Sequence, residues 1–294
     1  MAGKQGASSI AASLVVVLVA ALVAWAGSQG GVTVGSVPVF ALIVGLAFLV
    51  QWLAFVPSYL LHTERFYDLT GSFTYIVAIV LAVVLSGTTD ARSILLLVLV
   101  LVWAGRLGPF LFRRVRRAGK DDRFDEIKRS FSRLLLTWTL QGLWVSLTLA
   151  AALAAVTSAE PKGLDLFAYI GLAVWVIGFA LEAAADLQKS RFRADPAHKG
   201  SFITSGLWAI SRHPNYFGEI TLWTGIAIIA LPVLQGWQFV TLISPVFVYL
   251  LITRVSGVPL LEKKADAKWG GQEAYAAYKR RTPALVPFLG RKQR

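Results

Sequence analysis

The sequence predicts an all-α polytopic membrane helical bundle of seven to eight transmembrane helices, and three observations predict it. Of 294 residues, 56% are hydrophobic and only 15% charged, with a mean hydropathy of +0.64; a soluble domain of this length needs far more polar surface. Apolar runs long enough to cross a bilayer recur along the whole chain. The loops between those runs alternate between basic and nearly uncharged.

The runs fall near 8–27, 38–61, 71–88, 93–112, 133–156, 165–186, 215–235 and 238–256. The first, "SSIAASLVVVLVAALVAWAG", follows a weak basic start at Lys4 and has small residues near its end. Its roughly 20 apolar residues suit a retained span better than the shorter core of a signal peptide. Removal of this run would leave seven spans. The loops "SQGGVTVGSV", "GTTDAR", "SAEPKGLD" and "QGWQ" carry few basic residues, whereas "RRVRRAGKDDRFDEIKRSFSR", "QKSRFRADPAHKG" and "EKKADAKWGGQEAYAAYKRR" are crowded with them. The positive-inside rule therefore puts the basic segments and both termini in the cytoplasm, in an inner (plasma) membrane. Lys and Arg at helix ends also meet anionic lipid heads, so membrane lipids, not nucleic acid, are the expected partners of the +13 net charge.

Cysteine is absent, which removes disulfides, thiolate catalysis and cysteine metal sites. His62, His198 and His213 are far apart and form no HxxxH pair, so no metal site is expected. No repeat, low-complexity segment or linker divides the chain, which reads as a single integral membrane domain over 1–294.

Ionisable groups inside spans are costly and face a cavity or each other. Arg106 lies within the apolar register of "LVWAGRLGPFLFRR". In "GFALEAAADLQKSRFR", Glu182, Asp186, Lys189 and Arg193 fall at i, i+4, i+7 and i+11, which lines them on one helical face. Arg254 ends the eighth run. One such residue reads as snorkelling or ion-paired; charges at the same ends of three helices point to a polar cavity open to the cytoplasm.

The stretch "SGLWAISRHPNYFGEITLW" concentrates this chemistry. Pro214 suits the first turn of a helix, where its missing N–H costs nothing. The helix that starts there turns unpaired N–H groups and a positive dipole end toward Arg212, a setting that favours phosphate. Arg212, Tyr216 and Glu219 are spaced to share one face, and Asn215 and Glu219 can accept hydrogen bonds from a ligand. In the tail, Tyr275 and Tyr278 share a face of a short amphipathic helix, either an interfacial anchor or a lid. No GxGxxG follows a strand, and GxxxxGK[ST] and GxSxG are absent, so helices must hold any nucleotide.

With "WAGRLGPFLFRR", "KDDRFDEIK", "LEAAADLQKSRF", "GLWAISRHPNYFGEITLWTG" and "LLEKKADAKWGGQEAYAAYKRRTPALVPF" in this order, the chain resembles the bacterial DUF1295 family of the steroid 5α-reductase-like membrane reductases. The resemblance covers roughly 60–290, a reductase-like core with a cofactor-binding carboxyl-terminal half, after more variable helices at 1–60. It implies a seven-helix-type fold holding NADPH, and reduction of a carbon–carbon double bond conjugated to a carbonyl. The substrate implied is a lipophilic small molecule entering from the bilayer. The NADPH contacts implied are Arg106, Glu182, Asp186, Arg212, Asn215, Glu219 and Arg254, with Lys189, His213 and Tyr216 beside them. Arg114 and Arg117 stand toward the adenosine-phosphate end.

The chain departs from the steroid enzymes in lacking a Gln-Glu pair in its early spans, and Trp103 stands where they have a tyrosine. Val258 and Glu262 replace the histidine and tyrosine expected after Arg254. The proton donors available in "TERFYDLTGSFTY" are Glu64, Asp68 and Tyr75; Asp68 and Tyr75 share a face if the third helix begins early, although a cap at the helix start is an equal reading of the pair. "RHPNYFG" with the late tyrosines is also similar to isoprenylcysteine carboxyl methyltransferases, which use S-adenosylmethionine but are shorter. A lipid- or sterol-binding protein without catalysis is the third reading.

Overall fold

The computed structural model describes residues 2–118 and 124–289. It is an all-α membrane bundle: α1 (Ala2–Gly27), α2 (Val39–Leu60), α3 (Tyr67–Ser86), α4 (Ala91–Ala118), α5 (Phe131–Val156), α6 (Leu166–Ala194), α7 (Pro214–Ala230), α8 (Ile243–Leu250), α9 (Gly257–Trp269) and α10 (Glu273–Arg281). Eight helical stretches among the described residues are long and apolar enough to cross a membrane, one for each run read from the sequence. α3 begins ahead of its apolar run, and α4 and α6 continue past theirs. Lys, Arg and Glu are good helix formers, so a helix outlasts its hydrophobic stretch where it carries such residues.

The eighth stretch is not one regular helix. A 3-10 segment, Gly236–Leu242, leads into α8, which runs into a π-helical turn, Leu251–Val255. The chain then breaks at Ser256, with φ −124° and ψ −105°, before α9. Pro259 has no N–H for the Val255 carbonyl four residues back and its ring crowds that carbonyl, which accounts for the interruption.

The chain divides into two compact units, Met1–Ala168 with Ile229–Ser244, and Tyr169–Ile228 with Pro245–Arg294. In the first, α5 is the axis, packed by α1, α2 and α3, while α3 also packs on α4. Every residue from Val145 to Ser158 is buried. The alanine-rich sequence of that half of α5 lets its neighbours approach closely. Between α1 and α2 the chain forms a short antiparallel hairpin, β1 (Thr33–Val34) with β2 (Val37–Pro38), turning at Gly35, whose φ of +61° suits glycine.

Arg92, near the start of α4, is 1% exposed and fully engaged. Its guanidinium donates to the carbonyls of Ile229 (2.5 Å), Gly163 (2.7 Å) and Lys162 (3.2 Å) and pairs with Asp165 at 2.9 Å. This one side chain ties three backbone segments of the unit together, as only a planar five-donor group can.

In the second unit α6 and α7 lie backbone to backbone. A Cβ on Gly178 would stand 2.4 Å from the Leu222 nitrogen, and one on Gly218 would stand 2.6 Å from the Glu182 nitrogen. Small residues permit this approach between membrane helices. It also sets the polar face of α6 against the first turns of α7.

Candidate functional site

The connection from α6 to α7 is fixed from both sides within the second unit. The Leu207 N–H donates to Gln188 Oε1 (2.9 Å), and the Trp208 indole N–H donates to the Ala185 carbonyl (3.1 Å). From the other side, Tyr278 Oη donates to the Trp208 carbonyl (2.6 Å), Ser211 Oγ to the Leu285 carbonyl (2.7 Å), and the Arg212 N–H to the Pro283 carbonyl (2.9 Å). α7 starts at Pro214, as its sequence requires. Ser211 Oγ accepts the His213 N–H at 3.2 Å.

On α6, Glu182 and Asp186 are both buried, and Asn215 Nδ2 donates to Asp186 Oδ1 at 3.2 Å. Further along the same face, the Lys189 ammonium lies 4.1 Å over the Trp208 ring, a cation–π contact. Glu219 sits one turn beyond Asn215 on α7, and the Tyr216 ring stacks on the His213 imidazole at 5.7 Å. The polar face read from the i, i+4, i+7 spacing is thus held directly against the residues that open α7.

Arg212 and His213 have a partner that sequence reading did not assign. Glu262 Oε1 lies 3.2 Å from Arg212 Nε and 2.9 Å from His213 Nε2, while Glu262 Oε2 lies 3.3 Å from Lys279 Nζ. Arg212 Nη1 also donates to the Lys279 carbonyl at 3.0 Å. Lys279 in turn pairs with Asp266 at 2.7 Å, and Tyr275 Oη donates to the same carboxylate at 3.1 Å. A phosphate at this helix start would therefore share Arg212 with a carboxylate already in place. Glu262 stood in the sequence only as a departure from the family pattern. Nothing in its spacing indicates three cationic or imidazole partners, because all three lie on other segments.

Burial lowers the pKa of His213, outweighing the Glu262 carboxylate beside it, so the imidazole is neutral at pH 7 and its Nε2–H donates to Glu262. Burial pushes the Tyr278 phenol up to about 12. Burial opposes the Lys279 ammonium, but its bonds to Asp266 and Glu262 prevail and raise it. Tyr275 and Tyr278 share a face of α10, yet both point inward, 4% and 5% exposed. This corrects the expectation of an anchor lying on the membrane: their hydroxyls have partners inside the unit, and the Phe202 ring packs on both at 5.2 and 5.7 Å.

A cavity of about 530 Å³ opens beside α10, lined by Lys199, Ser201, Phe202, Thr204, Gln272 and Arg281 among others. Its two cations make no ion pair with a described residue. Arg254 lies on the π-helical turn, exposed and likewise without an ion pair.

The other expected residues belong to the first unit. Arg106 is half-buried on α4, and Arg114 reaches Asp68 at 3.7 Å. The side chain of Arg117 lies outside the described residues. Glu64 pairs with Lys128 at 3.1 Å. α3 does begin early enough to place Asp68 and Tyr75 two turns apart on one face, with Asp68 in its first turn. Tyr75 is 5% exposed and meets the Trp103 ring edge-on at 5.0 Å. Among the described residues no cluster of three metal-ligating side chains occurs.

Residues 54–282 match the family described as "Protein of unknown function (DUF1295)". That is most of the chain, which belongs to this family. A 59-residue stretch is also 32% identical to the Probable O-methyltransferase ustE of Ustilaginoidea virens. The match covers 20% of this chain and 20% of that protein, so the chain spans about a fifth of the length of that curated relative.

Proposed function

We propose that this DUF1295 membrane protein is an NADPH-dependent reductase that delivers a hydride to a carbon–carbon double bond conjugated to a carbonyl in a lipophilic, steroid- or lipid-like substrate. The observation that carries the reading is the order of charge along α6: the buried carboxylates Glu182 and Asp186, the latter bonded to Asn215, then Lys189 and Arg193. Carboxylates suit ribose hydroxyls and cations suit phosphates, so this face has the sequence of groups that a phosphorylated dinucleotide presents. Arg254 and the Lys199–Arg281 cavity add cations that no carboxylate among the described residues pairs with.

Bound NADPH supplies the hydride. The chain's own residues hold the nucleotide, keep water away and meet the charge that grows on the carbonyl oxygen as the β-carbon accepts the hydride. Of the three expected acids, Glu64 and Asp68 are already paired with Lys128 and Arg114. We therefore assign the proton to Tyr75, whose phenol O–H is a hydrogen-bond donor.

A second reading rests on the resemblance to the Probable O-methyltransferase ustE. In it the same helical face holds S-adenosylmethionine, its carboxylates serving ribose and the amino group, and a methyl group passes to an oxygen of the substrate. Melting of the purified protein in detergent with NADPH, NADH or S-adenosylmethionine separates the two, since a ligand of the native state alone raises the midpoint. The reductase reading expects a rise with NADPH that Asp186→Leu and Asn215→Ala abolish while the unliganded protein stays folded. A rise with S-adenosylmethionine and none with NADPH ends it.

A further inference from the structure

A cavity of the second unit is lined by polar side chains that the fold itself does not use. It lies between the 199–204 loop and α10, encloses about 530 Å³, and presents Lys199, Ser201, Thr204, Gln272 and Arg281. None of these five side chains makes a hydrogen bond or an ion pair with a described residue. No carboxylate is among the described residues that line it. The carboxylates close by in sequence are engaged elsewhere: Glu273 pairs with Arg280 at 2.6 Å, Asp266 pairs with Lys279 at 2.7 Å, and Asp195 accepts the Ala197 N–H at 2.9 Å.

The walls are set before any ligand arrives. The Trp269 indole N–H donates to the Gly200 carbonyl at 2.7 Å, and Gly200 has a φ of +85°, which suits glycine. The Phe202 ring lies 5.7 Å from the Trp269 ring and packs on Tyr275 and Tyr278, whose hydroxyls are themselves bonded. Lys199 thus stands on a fastened loop. Gln272 and Ala274 bring the first turn of α10 to the same cavity, and the backbone N–H groups of a first turn have no intrahelical partners.

Two cations that share one concave site without a counter-charge repel each other. Elsewhere in the unit Arg212, Lys279 and Arg280 are each paired with a carboxylate. Two hydroxyls and an amide beside the cations add donors that turn to suit a ligand. A carboxylate or a phosphate diester brings about one negative charge, whereas a phosphate monoester brings about two, on three strongly accepting oxygens. The monoester is therefore the group that matches both cations and occupies the remaining donors. Solvated surface cations would need neither the concavity nor the hydroxyls.

We propose that this cavity is a binding site for a phosphate monoester, carried either by a membrane lipid headgroup or by a water-soluble phosphorylated compound. Lys199 and Arg281 supply the matching charge, and Ser201, Thr204 and Gln272 donate to the remaining oxygens. The site rests on the lining of the cavity and not on the cofactor reading.

The test uses the full chain in an uncharged detergent, without dinucleotide and at fixed ionic strength, because salt screens exposed charges. Thermal midpoints are compared with phosphatidic acid against phosphatidylglycerol, and with adenosine 2′-phosphate against adenosine. A rise of several degrees is expected with at least one monoester and none with its control; the monoester that responds identifies the source as lipid headgroup or soluble phosphate. Lys199→Met and Arg281→Met each weaken that binding by about tenfold or more. Arg280→Met, which removes a neighbouring cation outside the cavity, leaves it unchanged. Should a cation variant fail to fold, Ser201→Ala and the monoester-versus-control contrast in the unmodified protein carry the test. No response to either monoester, equal response to monoester and control, or equal loss in Arg280→Met overturns the proposal. Such a failure leaves the Asp186→Leu and Asn215→Ala test of the cofactor reading standing.

Discussion

The two units treat buried polarity in opposite ways. The second is ionic: Glu262 alone serves Arg212, His213 and Lys279, and Asp266 serves Lys279 and Tyr275. In the first, the interior of α2, α3 and α5 carries neutral amides and an indole with hydrogen-bonding atoms that have no partner among the described residues, while buried charge is paired, Glu64 with Lys128 and Arg92 with Asp165 and three carbonyls. The difference teaches that a membrane protein can bury polar residues either as charged clusters that satisfy one another or as neutral groups that leave some of their hydrogen-bonding capacity unused.

The comparison breaks first, and hardest, at Arg92. Arg92→Met would take the donor from three carbonyls, and a buried polar group left unpaired costs about 1–3 kcal/mol, whereas Asp165, 39% exposed, regains water. The measurement is the thermal midpoint, and a variant as stable as the parent would show that Arg92 fastens nothing. Glu262→Gln keeps the shape but removes the charge that three side chains share; hydrogen bonds to charged groups contribute ~1.5–3 kcal/mol each, and about 2 kcal/mol in total is expected because the network is partly solvated.

A milder effect is expected from pH. Because burial holds the folded-state pKa of His213 below its ordinary 6.5, the unfolded chain binds the extra proton first. Stability from this residue is therefore present above pH 6.5 and falls as pH drops below it, toward the lowered value. The midpoint should decline as pH falls below about 6.5, and His213→Gln should flatten that decline. The smallest effect belongs to Asp68→Asn. Its contact with Arg114 is 3.7 Å long and Arg114 is 47% exposed, so a change within about 0.5 kcal/mol is expected. A larger loss would place Asp68 among the charges that hold the fold together.

Much of this was legible from sequence. Bilayer-length apolar runs fix helices because no other backbone arrangement satisfies itself in lipid, and all eight runs became helical stretches. Pro214 fixed the start of α7 through its missing N–H, and the i, i+4, i+7 pattern placed Glu182, Asp186 and Lys189 on one face. Glu262 was not legible, since its partners at 212, 213 and 279 are remote in sequence. The lining of the Lys199–Arg281 cavity was equally hidden, because its residues come from two stretches remote in sequence.

What the sequence determined by itself was therefore the class of the protein, the number of its spans and the faces of its helices. Local periodicity and the transfer cost of polar groups from water to lipid are properties of residues taken one segment at a time. Only the tertiary structure decided which charges are spent on each other and which polar atoms remain unspent. Hydrogen bonds and ion pairs act over a few ångströms, and which groups come that close is set by helix packing, down to the glycines that let α6 and α7 touch.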